Sequence, residues 1–198
     1  MVESLPVPWH DEGVEDPALI LALRSGDRGA FAVLVQQETR SVYQTAYRIL
    51  GQAADAEDVT QEAFVAAYRS IGTFRGEGSL RGWLLRIATR IAFRRLSQRR
   101  EMVDVSSLAE AALVDRSAEP ARSVVAAERR DAVRDAIAEL SDPYREVVAL
   151  RFLGDLSLAE VAETTGRPLN TVKTHLRRGL ERLRPVLSAE VDAGVSDR

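Results

Sequence analysis

SLAEVAETTGRPLNTVKTHLRRGLERL, residues 157 to 183, is the stretch on which the architecture turns. Ser157-Leu158-Ala159-Glu160 has the form of a capping box: the serine accepts from the backbone N–H of Glu160, and the glutamate reaches back to the serine N–H. Leu158, Val161 and Ala162 give the short helix that follows an apolar face. Gly166 suits a left-handed turn, Arg167-Pro168 comes next, and Asn170 or Thr171 can open a second helix. Along it Val172, Leu176, Leu180 and Leu183 recur at helical steps and face a core. The complementary face holds Lys173, Thr174, Arg177 and Arg178, with His175 nearby and Arg182 and Arg184 further on. Arg and Lys pair with guanine edges, and Thr serves a base or a phosphate. The spacing predicts a helix-turn-helix whose second helix enters a major groove. A plain helical hairpin with a basic rim would use the same leucines, but has no need of the box, the turn glycine and the basic face together.

Outward from this motif, helical periodicity dominates and no alternating strand appears, so the chain reads as all-α. Asp16-Pro17 pairs an N-cap with a proline at the first helical position and opens a helix that Gly26 closes. Phe31, Leu34, Val35, Val42, Ala46, Ile49 and Leu50 recur at three- and four-residue steps until Gly51. A third helix is expected from about residue 53 to 71. Gly72 to Gly78 forms a loop with three glycines, after which Ser79 caps a fourth helix. Residues 101–127 are rich in Ser, Ala, Asp and Glu, contain Pro120 and lack an apolar stripe, so they are expected to be a flexible acidic linker. Val133, Ile137 and Leu140 resume the pattern, and Asp142-Pro143 caps a helix that Gly154 ends. Two small helical domains are expected, at 17–100 and 128–187. An acidic extension at 1–16, expected to be disordered, and a tail at 188–198 flank them.

The 198 residues contain 26 arginines, one lysine (Lys173) and no cysteine, with a net charge of −3. No disulfide framework or thiolate metal site is available, which is compatible with a reducing, cytoplasmic setting. Met1 to Asp16 carries five acids and no base, the opposite of a secretory leader. No apolar run approaches the roughly 20 residues of a membrane helix.

Charge is sorted along the chain. Arg81, Arg86, Arg90, Arg94, Arg95, Arg99 and Arg100 occupy one acid-free stretch, the usual footprint of a nucleic-acid surface, although a solvated arginine face has the same pattern. At about 100° per residue, Leu80, Leu84, Ile87 and Ile91 share the core face. Trp83, Arg86, Arg90 and Arg94 lie along one flank, and Arg81, Arg95 and Arg99 along the other. Trp83, beside a loop with Phe74 and Arg75, either stacks on unpaired bases or packs into the domain. Upstream, Asp55, Asp58 and Glu62 share a helix face, with Glu57 and Gln61 alongside. Such a row repels nucleic acid; it meets a basic protein surface or is simply solvated.

Together these residues resemble bacterial RNA polymerase sigma factors of the sigma-70 family, specifically the small extracytoplasmic-function group that keeps only regions 2 and 4. The likeness covers about residues 20 to 185. Asp55-Ala56-Glu57-Asp58-Val59-Thr60-Gln61-Glu62-Ala63-Phe64 is similar to the family's polymerase-docking helix, which implies core-polymerase contacts for Asp55, Glu57, Asp58, Gln61 and Glu62. The implied partner is the clamp coiled coil of the largest subunit, with the flap of the second-largest subunit for the C-terminal domain. Phe74 through Leu80-Arg81-Gly82-Trp83-Leu84 is similar to the loop and helix that open and read the minus-ten element, implying DNA contacts for Phe74, Arg75, Trp83, Arg86, Arg90, Arg94, Arg95 and Arg99. Leu156 to Leu183 is similar to the minus-thirty-five reader, implying Asn170, Thr171, Lys173, Thr174, His175, Arg177 and Arg178. Where the family commonly shows an Arg-Asn pair and later an Asp, this chain has Thr89-Arg90 and Arg94, and its helix is more basic. The resemblance also implies promoter DNA and an anti-sigma factor as partners, a stress or envelope regulon, and no catalysis, cofactor, metal or membrane insertion.

A linker of 27 residues spans at most ~90 Å, whereas promoter elements one and a half turns of intervening helix apart lie about 50 to 55 Å from each other. Two reading heads so tethered reach both. The alternative function is a helix-turn-helix regulator that acts without joining polymerase, but an all-helical, arginine-bearing first half is not the usual sensor. A nucleic-acid enzyme has little support: Gly76-Glu77-Gly78 lacks the GK[ST] of a phosphate loop, and His10 and His175 suggest no metal pair.

Overall fold

Asp27 and Gly51 bracket the first long helix by complementary means. The Asp27 carboxylate accepts from the N–H groups of Gly29 (2.7 Å) and Ala30 (3.1 Å) at the start. At the end Gly51 adopts φ 76°, and its N–H donates to the Tyr47 carbonyl. The computed structural model describes residues 17–74, 78–106 and 121–195. Among them are eight α-helices: α1 (Pro17–Arg24), α2 (Arg28–Leu50), α3 (Ala53–Ser70), α4 (Leu80–Ser106), α5 (Ala121–Glu139), α6 (Asp142–Phe152), α7 (Leu158–Thr165) and α8 (Leu169–Val195). A single 3-10 turn, Ile71–Thr73, follows α3, and no strand occurs among the described residues. The expected N-terminal extension, most of the linker, and the last three residues lie outside them.

Several boundaries differ from expectation. Helix α4 runs on to Ser106 and α5 begins at Ala121, so both helices enter the stretch assigned to the linker. Asp142 is not the cap of α6. Ser141 holds that place with extended backbone, and Asp142 is the first helical residue, ion-paired one turn on with Arg145. Helix α8 starts at Leu169, one residue early, because the Pro168 carbonyl already accepts from Thr171 and Val172.

Helices α2, α3 and α4 pack as a bundle with α1 across one end; α5, α6, α7 and α8 form the second lobe. Helices α6 and α7 lie directly against α4, and α5 touches both α2 and α4. One continuous core therefore passes through both lobes, from Val42, Ile49, Val59 and Leu84 to Val147, Leu150, Leu156, Val161 and Val172. A smaller cluster of Leu23, Leu34, Ile71, Phe74 and Leu80 closes the α1 end.

Packing on two sides explains why α4 is buried more widely than its leucine stripe predicts. Besides Leu80, Leu84 and Ile91, the residues Leu85, Ala88, Thr89, Ala92, Phe93 and Leu96 are buried. Gly82 follows the same logic. A glycine inside a helix costs about 1 kcal/mol relative to alanine, and here a Cβ would collide with the Thr164 hydroxyl of α7. Close approach of the second lobe requires it. Gly78, at φ 76°, sits 3.1 Å from the backbone of Glu163 by the same measure.

Candidate nucleic-acid interface

Helix α8 presents the more open of two basic surfaces. Its entry is built as the residues predict: the Ser157 hydroxyl accepts from Glu160 N–H (3.2 Å), the Glu160 carboxylate accepts from Ser157 N–H (2.7 Å), and Gly166 turns the chain at φ 66°. Val172 and Leu183 are buried and Gly179 is wedged against Val148, where a Cβ would come within 2.7 Å. Leu176 and Leu180 are only half-buried. This orientation leaves Asn170, Lys173, Arg177 and Arg178 exposed, with Thr171, Thr174 and His175 half-buried. The Thr174 hydroxyl donates to the Asn170 carbonyl (2.9 Å), and Arg177 pairs along the helix with Glu181 (2.6 Å).

Not all of this face points one way. The His175 ring stands edge-on to Tyr144 of α6 at 5.5 Å, and its Nδ1 is buried without a hydrogen-bond partner. Burial, followed by the charges of Arg167 and Arg178, holds the imidazole pKa below its ordinary value, so the ring is neutral at pH 7. Arg182 lies over the Tyr144 ring at 4.2 Å, and the guanidinium of Arg178, with that of Arg182, lowers the pKa of the phenol. His175 and Arg178 thus lean towards α6, while Asn170, Lys173, Thr174 and Arg177 share the outward row.

The arginines of α4 are arranged differently. Arg94 pairs with Glu62; Arg95 reaches Asp58 at 3.0 Å and lies 4.0 Å from both Asp55 and Glu62; Arg99 lies 3.5 Å from Asp55. The basic protein surface that the acidic row meets is therefore on the neighbouring helix of the same chain. Each such partly exposed pair contributes only about 0.2–1 kcal/mol, yet together they fix which edge of each helix faces out. Glu57, Asp58 and Gln61 remain exposed on α3.

Elsewhere along α4 the expected two flanks also divide otherwise. Arg81 turns towards α2, where burial raises the pKa of Glu38 against the opposing effects of Arg81 and the Ser41 hydroxyl. Arg86 turns into the second lobe: its Nε donates to Glu146 (2.7 Å) and its Nη1 to the Thr164 carbonyl (3.0 Å). Arg90 is exposed and has no ion pair among the described residues. Trp83 is half-buried between both cores, with its ring centroid 5.5 Å from that of Phe74. Phe74 is 3% exposed and belongs to the α1-end core, so in this structure it offers no free ring to a base. Arg75 lies outside the described residues.

Residues that sequence reasoning missed sit between the lobes. Glu146 on α6 accepts from Arg86 and, at 2.6 Å, from Arg167 in the turn of the helix-turn-helix. Arg48 pairs with Asp155 and donates to the Leu153 carbonyl (2.8 Å), while Arg134 Nε donates to the Arg48 carbonyl (2.8 Å). Gly82 was the one available signal, since an internal helical glycine marks close approach. Among the described residues no group of three His, Asp or Glu is placed to hold a metal, and no helix is long and apolar enough to cross a membrane.

Comparison with known proteins finds two family models on this frame: Sigma-70 region 2 over residues 34–101 and Sigma-70, region 4 over residues 130–183. The ECF RNA polymerase sigma factor SigW of Bacillus subtilis (strain 168) is 36% identical over 178 residues, covering 85% of this chain and 94% of the relative. RNA polymerase sigma-H factor of Pseudomonas aeruginosa is 32% identical over 176 residues, covering 84% and 91%. Among solved structures, CnrH in complex with the cytosolic domain of CnrY has a TM-score of 0.57 at 24% identity, covering 87% of this chain and 96% of that one, a likeness of fold.

Proposed function

Because this chain belongs to the extracytoplasmic-function sigma factors of the sigma-70 family, we propose that it is a cytoplasmic promoter-specificity subunit that reads minus-thirty-five and minus-ten elements for core RNA polymerase. The exposed edge of α3, with Glu57, Asp58 and Gln61, docks on the clamp coiled coil of the largest subunit, and the second lobe meets the flap of the second-largest. The outward row Asn170, Lys173, Thr174 and Arg177 reads duplex DNA in the major groove. On α4, Trp83, Arg86 and Arg90 capture the melted strand, with Arg94, Arg95 and Arg99 adding positive potential along its path. The chain performs no chemistry of its own in this reading. An anti-sigma factor restrains it, and its regulon answers stress or envelope damage.

The observation that carries this reading is the joint presence on one chain of an open recognition helix and a second, separately built arginine helix beside an acidic docking edge. A regulator acting without polymerase needs only the first. The test is assembly: the purified chain should co-elute with core polymerase in size-exclusion chromatography and shift a promoter fragment only in that complex. A chain that shifts duplex DNA fully by itself and never co-elutes with core would support the free regulator instead.

A further inference from the structure

Helices α4 and α6 and the turn before α8 line a cleft of about 300 Å³, at the small end of the ~300–1,000 Å³ usual for ligand pockets. Its charges do not balance. Arg86, Arg90, Arg94, Arg145 and Arg167 border it, against the carboxylates of Asp142 and Glu146. Glu146 takes up Arg86 at 2.7 Å and Arg167 at 2.6 Å, and Arg94 is held from the neighbouring helix by Glu62. Asp142 pairs with Arg145, but its own side chain is 85% exposed, so water screens much of its charge. Arg90 is exposed and has no ion pair among the described residues. Positive potential is thus left over between Arg90 on the α4 wall and Arg145 on the α6 wall.

Two further features of the cleft point to a ligand. Arg145 is held in place: its Nη1 donates to the Ala138 carbonyl (2.9 Å), and its guanidinium lies over the Phe93 ring, 5.5 Å from the centroid. A side chain fixed in this way loses little freedom when it takes a ligand. Thr89 belongs to the same lining and is 2% exposed, yet its hydroxyl has no hydrogen-bond partner among the described residues. Thr45, Thr60, Thr165 and Thr174, which also lie inside helices, each donate to the carbonyl four residues back. An unpaired buried hydroxyl is costly, and in a native protein it marks a place where something else supplies the partner. We infer that this cleft binds a small free polyphosphate, inorganic pyrophosphate or the terminal diphosphate of a nucleotide, between Arg90 and Arg145 with Thr89 beneath it. A diphosphate gathers several charges in adjacent groups, enough to engage both walls, and its oxygens accept paired N–H donors from a guanidinium. A nucleic-acid strand instead spreads single charges over successive nucleotides. In the function proposed above Arg90 meets the melted strand, so polyphosphate and strand compete for it; the site itself is a property of the chain alone.

The test is isothermal titration calorimetry on the full chain with orthophosphate, pyrophosphate and ATP, at fixed ionic strength and without divalent metal. Pyrophosphate should bind at a single site, about tenfold or more tighter than orthophosphate. Arg90→Gln and Arg145→Gln should each weaken it about tenfold or more, the scale of one lost charge-assisted bond. Arg24→Gln removes the same charge from the exposed end of α1 and should stay within about twofold, because a distant surface charge is screened. ATP binding as tightly as pyrophosphate assigns the site to nucleotides, and weaker ATP binding assigns it to the inorganic ion; either upholds the proposal. If Arg145→Gln loses its cooperative thermal transition along with the Ala138 contact, Arg90→Gln decides alone. Three results overturn the proposal: no pyrophosphate binding at millimolar concentration, equal affinity for orthophosphate and pyrophosphate, or an equal loss in Arg24→Gln. Should pyrophosphate fail while a labelled (dT)12 still depends on Arg90 and Arg145, the cleft belongs to nucleic acid instead. No readout involves polymerase, so a failure of core binding would strike the functional reading and leave this one standing.

Discussion

Helices α4 and α8 both carry arginines at helical spacing, yet one is largely closed and the other largely open. In α4, Arg94, Arg95 and Arg99 face the carboxylates of α3, and Arg86 faces Glu146. In α8, Lys173 and Arg177 face outwards and Asn170 extends the row. What differs is the company each helix keeps. Helix α4 is packed by α2 and α3 on one side and by α6 and α7 on the other, whereas α8 packs through its inner face alone. A run of one charge in sequence thus counts guanidinium groups without saying how much of their field reaches a ligand; the carboxylates brought alongside by the fold decide that.

The contrast can be broken most severely through the shared core. Leu85 is fully buried and lies against Gly154 of the second lobe. Leu85→Ala should cost about 2–5 kcal/mol in urea unfolding, while Leu187→Ala on the exposed side of α8 should stay within about 0.5 kcal/mol. Next in size is the docking edge. Asp58→Lys with Glu62→Lys should weaken core-polymerase binding by roughly 2 kcal/mol or more in a competition assay, and should also deprive Arg94 of Glu62 and leave Arg95 with Asp55 alone. On the open helix, Lys173→Ala with Arg177→Ala should weaken duplex binding in the polymerase complex by about 1–3 kcal/mol for each base that is no longer read. The dependence on salt should grow shallower by about 0.9 for each phosphate that is no longer neutralised. Arg95→Ala, on the closed helix, should change duplex affinity little, and fluorescence anisotropy on one DNA separates the two.

The smallest effect concerns pH. Glu146 has a folded pKa below its unfolded value, so its contribution to stability is complete above the ordinary carboxylate range near 4.5 and is lost as pH falls through the lowered value. The groups facing it are Arg86 of α4 and Arg167 of the turn, with Arg90, Arg145 and Asp142 lining the same cleft. Between pH 5 and pH 3 the Tm of the parent should therefore fall more steeply than that of Glu146→Gln, by a few degrees in calorimetry.

Local chemistry made much of this fold legible. The Ser157 box, Gly166, Gly51 and the helix start at Pro17 need only neighbours within a turn, and they appear where the residues place them. The outward row of α8 was legible for the same reason, since Val172 and Leu183 on its inner face set which residues face out. The ladder between α3 and α4 was not, because Arg95 and Asp58 are 37 residues apart and helical spacing says nothing about which neighbour a face will meet. Phe74 lies in a stretch with three glycines and no apolar periodicity, so nothing local showed that its ring completes a small core with Leu23 and Leu34. Glu146 was least visible of all, an ordinary acid on an amphipathic helix until the lobes close on it.

Run-off transcription tests the central claim most directly. The purified chain is added to core polymerase with a fragment library of genomic promoters, and transcripts are sequenced at their 5′ ends. The account predicts discrete start sites that share two upstream elements at one fixed spacing, abolished by Asp58→Lys with Glu62→Lys and weakened by Lys173→Ala with Arg177→Ala. Start sites unchanged from core polymerase alone, in the presence of folded chain, would contradict it.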